Sequence, residues 1–564
     1  MRSADELHDA LLNLVAIDEL EAGPWSAWLA ELVAKGRATR VVRAGLPTLW
    51  IAAESWPIVR GAFADAQAEP PVMLPAKVER EVPRSEAWVA LVRGRIEHMG
   101  PTTARRIGEL LGLEENFVSS SLEALEGQGT VMRGSFTEQA QNAATNGSVP
   151  EVEWCDRRLL ARIHRLTMQG LRQQIQPVEP RAFLKFLTRY HHVVRDSQWG
   201  GAVGVREAIA QLQGFELPAG AWEKRVLAAR VSEYDPQWLD NLFLSGEVVW
   251  GRLDRPQRDP DDKPSMAALT RVVPISLVLR EELPQLLPPE PATAAPVRGG
   301  AQTVLTALAE RGALFFNELK TVTQLLPGHL EEALRELAAL GLITSDAFAA
   351  VRKIVEGERT ANSRRRRSPR TLHGVAAPIG RWSLFPGPVP APSREAYLDA
   401  WCRQLLRRYG VIFRDLLERE SSAPTWQELV GTLRRLELRG EVRGGRFVSQ
   451  VAGEQYALPT AIDLVRETRG GDDDEPWIVL SAADPLNLFG IITAGARVAA
   501  TNRNAIVVQA GRLMAAQQAG HVEFYEPVDL TVQWEMRRAM AVGRRREPTA
   551  EDPHLPAERY HGRR

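Results

Sequence analysis

Cysteine is nearly absent. Cys155 and Cys402 are the two in a chain of 564 residues. A disulfide framework is excluded, and both cysteines sit among helix formers, where a small buried apolar side chain is expected. Long apolar runs are missing too. No uncharged stretch approaches the roughly 18 residues of a membrane span, and the longest, such as Val273–Leu279, has the length of a buried strand. The opening Met1-Arg2-Ser3-Ala4-Asp5-Glu6-Leu7-His8 lacks the apolar centre of a secretory signal. The expectation is a soluble chain in a reducing, cytoplasmic setting with no membrane partner. Net charge is missing as well: 70 Lys and Arg against 71 Asp and Glu leave −1. A uniformly basic nucleic-acid coat is ruled out, but a local basic face is not, because opposite charges can be segregated in space.

Several catalytic signatures are absent. A nucleotide-driven motor needs a glycine-rich loop whose N–H groups cradle phosphates and whose Lys reaches the β- and γ-phosphates; no Gly-Lys dipeptide occurs. Asp5-Glu6-Leu7-His8 spells a magnesium-binding box, but such a box ends a buried strand and nothing apolar precedes Asp5. The string fits the acidic first turn of an amphipathic helix. His191 and His192 are adjacent and would point apart on a helix. With no Cys pair and no His-Glu-x-x-His, no metal site is expected. No Gly-x-Ser-x-Gly elbow is present either, and no cofactor is expected.

An apolar fraction of 44% with 25% charged residues describes a folded chain, long enough for about four domains of ordinary size. One pattern recurs along it. In 85–137, Trp88, Val89, Val92 and Ile96 form a helical stripe. Gly100-Pro101-Thr102-Thr103 breaks it and caps a second helix, and Phe117 to Leu125 makes a third that ends at Gly127. Val131 to Phe136 then alternates. A helical period switching to period two after a Gly suggests a winged helix-turn-helix. Residues 301–345 and 398–449 repeat the pattern, and 7–50 repeats it more weakly. Recurrence counts for more than any single match, although such units also serve purely as packing modules. Residues 138–150, 254–266, 284–296, 357–381 and 470–475 read as linkers or surface turns. Beyond 476, short β-like runs separated by Gly and Asn suggest a small antiparallel barrel or sandwich.

The densest positive charge is Arg364, Arg365, Arg366 and Arg367, suited to phosphate contacts or simply to a solvated loop. In 151–253, Arg162, Arg165, Arg172 and Arg181 line a helical stretch that Gln173-Gln174-Ile175-Gln176-Pro177 interrupts, with Phe183, Phe186, Leu187, Tyr190 and Trp199 following. Arginines interleaved with aromatics can grip a backbone and stack a base. The i, i+3, i+4, i+7 spacing of Phe183, Phe186, Leu187 and Tyr190 equally marks a core face.

These blocks carry a resemblance. Leu212 to Glu216, Trp222-Glu223, Arg230-Val231, Tyr234-Asp235, Trp238 to Asp240, Ser245 to Leu253, Gly380 to Leu384 and Ser481 to Leu488 resemble the C-terminal region of the large helicase-related (Lhr) proteins, over about residues 1–527. The resemblance implies a mainly α chain with β (α+β): tandem winged-helix modules followed by a small antiparallel β-barrel. The expected modules are 1–78, 79–145, a glycosylase-like winged-helix/α+β module at 146–290, 291–395 with a basic loop, 396–455, the barrel at 456–535 and an Arg-rich tail at 536–564. It also implies DNA repair, single-stranded or damaged DNA as partner, an upstream helicase core in the same protein, and a homotetramer. The arrangement is similar to that of winged-helix (AlkZ-like) DNA glycosylases, which position water with a Gln-x-Gln or Gln-x-Asp loop and use an Asp as general base or cation stabiliser. Gln174 and Gln176 have the Gln-x-Gln spelling, whereas Lhr proteins often carry acids there, and two glutamines alone supply no base. Asp484, before Pro485, is a second candidate, or a turn-capping Asp. The leading expectation is a DNA-binding, self-assembling module without ATPase activity. A uracil or alkylbase glycosylase and an oligomerisation scaffold are the alternatives.

Overall fold

A helix leads into a two-residue strand, short helical turns follow, then a third helix, and two antiparallel strands complete the unit. Among the described residues of the computed structural model this arrangement occurs five times. Those residues are 1–75, 78–137, 151–173, 175–255, 273–290, 297–353, 380–387, 389–468 and 475–542. The first helices are Ala4–Leu14, Arg84–Ile96, Gly201–Leu212, Gly299–Arg311 and Arg394–Tyr409. The third helices are Ser26–Ala34, Glu115–Gly127, Pro236–Leu244, Pro327–Ala339 and Trp426–Leu438. In every copy the short strand pairs with the strand that closes the unit. Ile17 opposes Trp50, Thr102 opposes Trp154, Leu217 opposes Ile275, Leu314 opposes Trp382 and Val411 opposes Ala457. This is winged-helix topology.

Each third helix stops in the same way. Gly36, Gly129, Gly246, Gly341 and Gly440 follow its last turn with φ between 69° and 78°. Glycine takes this left-handed position without a Cβ penalty, so the chain can leave the helix and enter the wing.

The chain divides into two compact units, Met1–Leu171 and Arg172–Arg564. In the first, two modules share an apolar core that includes Val41, Ile51, Leu91, Ile107 and Leu122. Gly94 lets the two modules touch, since a Cβ there would lie 2.5 Å from the Leu14 carbonyl oxygen. Arg95 seals the contact by donating to both carboxylate oxygens of Glu21 at 2.7 and 2.8 Å.

In the second unit, the third and fourth modules share a core centred on Trp222, Trp250, Phe348 and Trp382. The fifth module packs its Trp401, Tyr409 and Phe413 with Phe183 and Phe186 of the helix Pro180–Tyr190 and with Leu480, Ile506 and Val508 of a last sheet. That sheet runs through Ile478–Ser481, Ala505–Gln509, Arg512–Gln518 and His521–Phe524 as an antiparallel meander. No pairing between its first and last strands closes it into a barrel among the described residues. The helix Leu530–Val542 covers it with the fully buried Met536 and Met540, so the part of the expected tail up to residue 542 is helical and docked.

The sheets also revise three of the expected linkers. Val131–Gly134 pairs with Glu153–Asp156, Val248–Gly251 with Pro274–Leu279, and Ile343–Ser345 with Arg381–Leu384. The stretches 138–150, 254–266 and 357–381 therefore fall between paired strands of one wing rather than between modules. The third module spans Gly201 to Leu279, and its second helical segment, Trp222–Leu227, has π-helical hydrogen bonding. That irregularity and the long interval between its wing strands hide this copy from a periodicity search.

Candidate nucleic-acid interface

Pro177 cannot continue the helix Arg157–Gln173, and the chain beyond it runs onto the wing of the fifth module. Val178 pairs in parallel with Val448: its N–H donates to the Phe447 carbonyl at 2.8 Å, and the Ser449 N–H donates to the Val178 carbonyl at 2.8 Å. Before the proline, Ile175 lies over Gly445, where a Cβ would meet Ile175 Cδ1 at 2.3 Å. Arg172 donates through Nε to Glu437 Oε1 at 2.9 Å and through Nη2 to Oε2. Glu437 is buried and also accepts from the Gly444 N–H at 3.1 Å. Gln174 lies outside the described residues. Gln176 is exposed, in a segment fixed on both sides. The described part of this loop offers amide chemistry, and the neighbouring carboxylate of Glu437 is already engaged.

Asp484 sits elsewhere in the same unit, fully buried in the turn after Ile478–Ser481. Arg230 donates to it from Nη1 to Oδ2 at 2.7 Å and from Nη2 to Oδ1 at 2.9 Å, and Oδ1 also accepts from the Leu486 N–H at 3.0 Å. His191 is equally buried and receives Arg230 Nη2 on Nδ1 at 3.1 Å. Burial, then the Arg230 charge, holds the His191 imidazole well below its usual range, so it stays neutral. As folded, both Asp484 oxygens are committed.

The predicted cations are dispersed. Arg162 and Arg165 are exposed on the helix Arg157–Gln173. Arg172 is tied to Glu437, and Arg181 donates to the Ala510 carbonyl at 3.2 Å. Arg364, Arg365, Arg366 and Arg367 lie outside the described residues. Phe183, Phe186 and Leu187 are buried as their spacing requires.

A cavity of about 490 Å³ opens beside them, with Phe186, Tyr190, His192 and Trp199 in its wall. His192 stacks on Trp199 with ring centroids 4.0 Å apart, and Phe186 on Tyr190 at 5.1 Å. Lys185, Arg189 and Arg407 line it too, but Arg189 pairs with Glu475 and Arg407 with Glu282 at 3.0 Å. Flat apolar faces with balanced charge suit an uncharged planar ring better than a phosphate. Trp199 is among the aromatics that follow the arginine-lined stretch in the sequence. Arg407 comes from the fifth module, a juxtaposition with no local sequence signal.

Comparison with known proteins overlaps the third and fifth of these modules. Residues 178–268 match the third winged-helix domain of the large helicase-related protein, and residues 391–477 match the fourth. The chain is 30% identical over 515 residues to a Mycolicibacterium smegmatis protein described as Lhr helicase/probable uracil glycosylase, covering 87% of this chain and 32% of that protein. It is 27% identical over 459 residues to the Escherichia coli Lhr helicase/uracil glycosylase, covering 73% of this chain and 29% of that one. The chain thus spans about a third of the length of these curated relatives. Among solved structures, the Streptomyces sahachiroi DNA glycosylase AlkZ aligns at a TM-score of 0.38 and 14% identity, over 65% of this chain and 97% of that one.

Proposed function

From a chain that carries two winged-helix domains of the large helicase-related type, we infer the C-terminal region of an Lhr-type DNA repair helicase, which binds single-stranded or damaged DNA and self-assembles, with tetramers as the expected form. The observation that carries this reading is the tandem of five winged-helix modules, two of them matched to that family. In the longer protein such a region would work beside a helicase core and leave ATP hydrolysis to it. Fluorescence anisotropy with a labelled single-stranded oligonucleotide tests the binding. Affinity should fall linearly with salt on a log–log plot, about 0.7 in slope per phosphate contacted. No binding at low salt would favour a scaffold instead. Mass measurement in solution tests assembly, and a monomer would remove the tetramer.

A second reading, base removal from DNA, is favoured by one observation: the Gln176 segment is anchored on a wing at Val178 and through Arg172. An extruded base needs a stacking pocket, and the cavity beside Trp199 has the walls for one. A uracil-containing oligonucleotide incubated with the chain and then treated with alkali should break at the uracil. Strand breakage no greater than without protein would rule the activity out, and breakage that survives Gln174→Ala with Gln176→Ala would move the site elsewhere.

A further inference from the structure

We infer that, of the five winged-helix modules, the fifth grips the nucleic-acid backbone, through the last turn of its third helix and its wing. This rests on the DNA-binding reading and assigns that binding to one surface. In winged-helix units the third helix and the wing are the parts presented to a duplex or strand, so their charges can be compared copy by copy. Glu115–Gly127 carries Glu115, Glu123 and Glu126 and no cation. Pro236–Leu244 carries Asp240 and no cation. Pro327–Ala339 sets Glu331, Glu332 and Glu336 against Arg335. In the first module Ser26–Ala34 carries Glu31 and no cation, and Lys35 just past it faces Glu31 at 2.7 Å. None of these four helices carries a net positive charge, and the wing arginines Arg37, Arg40 and Arg133 face Asp5, Glu19 and Glu126.

The fifth differs. Arg434 and Arg435 stand exposed on Trp426–Leu438, Arg439 caps it, and Arg443 and Arg446 stand exposed on the wing that follows. The two acids of this helix are used internally. Glu428 closes a capping box with Thr425, and Glu437 is buried against Arg172. The partners that remain are rim acids: Glu454 on Arg434 at 2.9 Å, Glu395 near Arg435 at 3.5 Å and Glu441 near Arg439 at 3.9 Å. Exposed pairs of this kind contribute little, about 0–1 kcal/mol, so a phosphate can displace them. The same wing holds the Gln176 segment, with Ile175 against Gly445 and Val178 against Val448. A strand held by Arg446 therefore passes alongside that segment.

The test uses the full chain and a labelled single-stranded oligonucleotide. Arg439→Ala, Arg443→Ala and Arg446→Ala are combined in one variant; Arg105→Ala, Arg106→Ala and Arg133→Ala in the second module form a control of equal charge. Thermal melting of both establishes that each still folds. Loss of three contacts should lower the log–log salt slope by about 2 and weaken low-salt binding about tenfold or more. Lys at the same three positions should recover most of the affinity, and the control should bind like the parent chain. A parent chain that binds while the fifth-module variant binds equally well overturns this assignment alone. A parent chain that binds no DNA at low salt overturns the DNA-binding reading and the assignment with it.

Discussion

Arg230 and Asp484 face each other with no solvent on either side, joined by hydrogen bonds of 2.7 and 2.9 Å across 254 residues of chain. Two charges taken out of water are tolerated because each satisfies the other, and removing one strands its partner at a cost of about 3–5 kcal/mol. Asp484→Ala should therefore lower the thermal transition of the second unit markedly, and Asp484→Asn should do so less, since one oxygen still accepts. Circular dichroism melting checks this. A melt unchanged by Asp484→Ala would show that the pair is not holding the turn, and would free Asp484 for a chemical role.

Glu216 gives the third module a pH dependence. Its carboxyl is buried and pushed up to about 7, chiefly by burial, against a more distant Arg252 at 3.7 Å. A folded-state pKa above the unfolded value means that the folded chain binds the proton more tightly. The stabilisation is complete below the ordinary carboxylate range and is lost as pH rises through about 7. Glu216→Gln keeps an acceptor for the Leu253 and Asp254 N–H groups, at 2.8 and 3.0 Å. It should raise stability at pH 8 by about 1–2 kcal/mol and leave pH 5 nearly unchanged. Melts of both proteins across that range decide it, and parallel curves would refute the assignment.

Arg172 ties the Gln176 segment to Glu437, which keeps the Gly444 N–H when the arginine is lost. Arg172→Ala should cost about 1–3 kcal/mol, felt locally. Hydrogen exchange of the Val178 and Ser449 amides should accelerate, while amides in the third and fourth modules stay protected. Unchanged protection at Val178 would mean that the β-pairing alone holds the loop.

The helices and their recurrence were legible because they rest on local signals: apolar stripes at Trp88, Val92 and Ile96, and a glycine after each third helix. The third module was not, outside the family resemblance, because its second segment is π-helical and its wing strands lie far apart in sequence. Neither was the wing pairing across 138–150 and 357–381, since polar insertions inside a hairpin and linkers between domains have the same composition. The Gln176 segment stood out as unusual text, and Asp484 through the family resemblance. Their surroundings did not, because Val448 and Arg230 reach them only through tertiary packing.

Gly251 and Phe385 test whether the third and fourth modules hold together as one body. Gly251 ends the first wing strand of the third module, and Phe385 follows the last strand of the fourth, buried to 4% exposure. A Cβ on Gly251 would meet three atoms of the Phe385 ring at 2.3, 2.5 and 2.6 Å. The ring belongs to a packed core and cannot swing clear as a long chain end would. Gly251→Ala should then cost about 1–3 kcal/mol by overpacking, and Phe385→Ala about 3–5 kcal/mol by the void it leaves. In the double variant the new methyl enters part of the vacated space, so its cost should fall short of the sum by about 0.5–3 kcal/mol. Denaturant melts of the four proteins in the cycle measure this difference. Strict additivity would mean that the two side chains do not share this space, and that the modules are joined by the Trp250–Trp382 contact, with ring centroids 6.3 Å apart, rather than by the ring on the glycine.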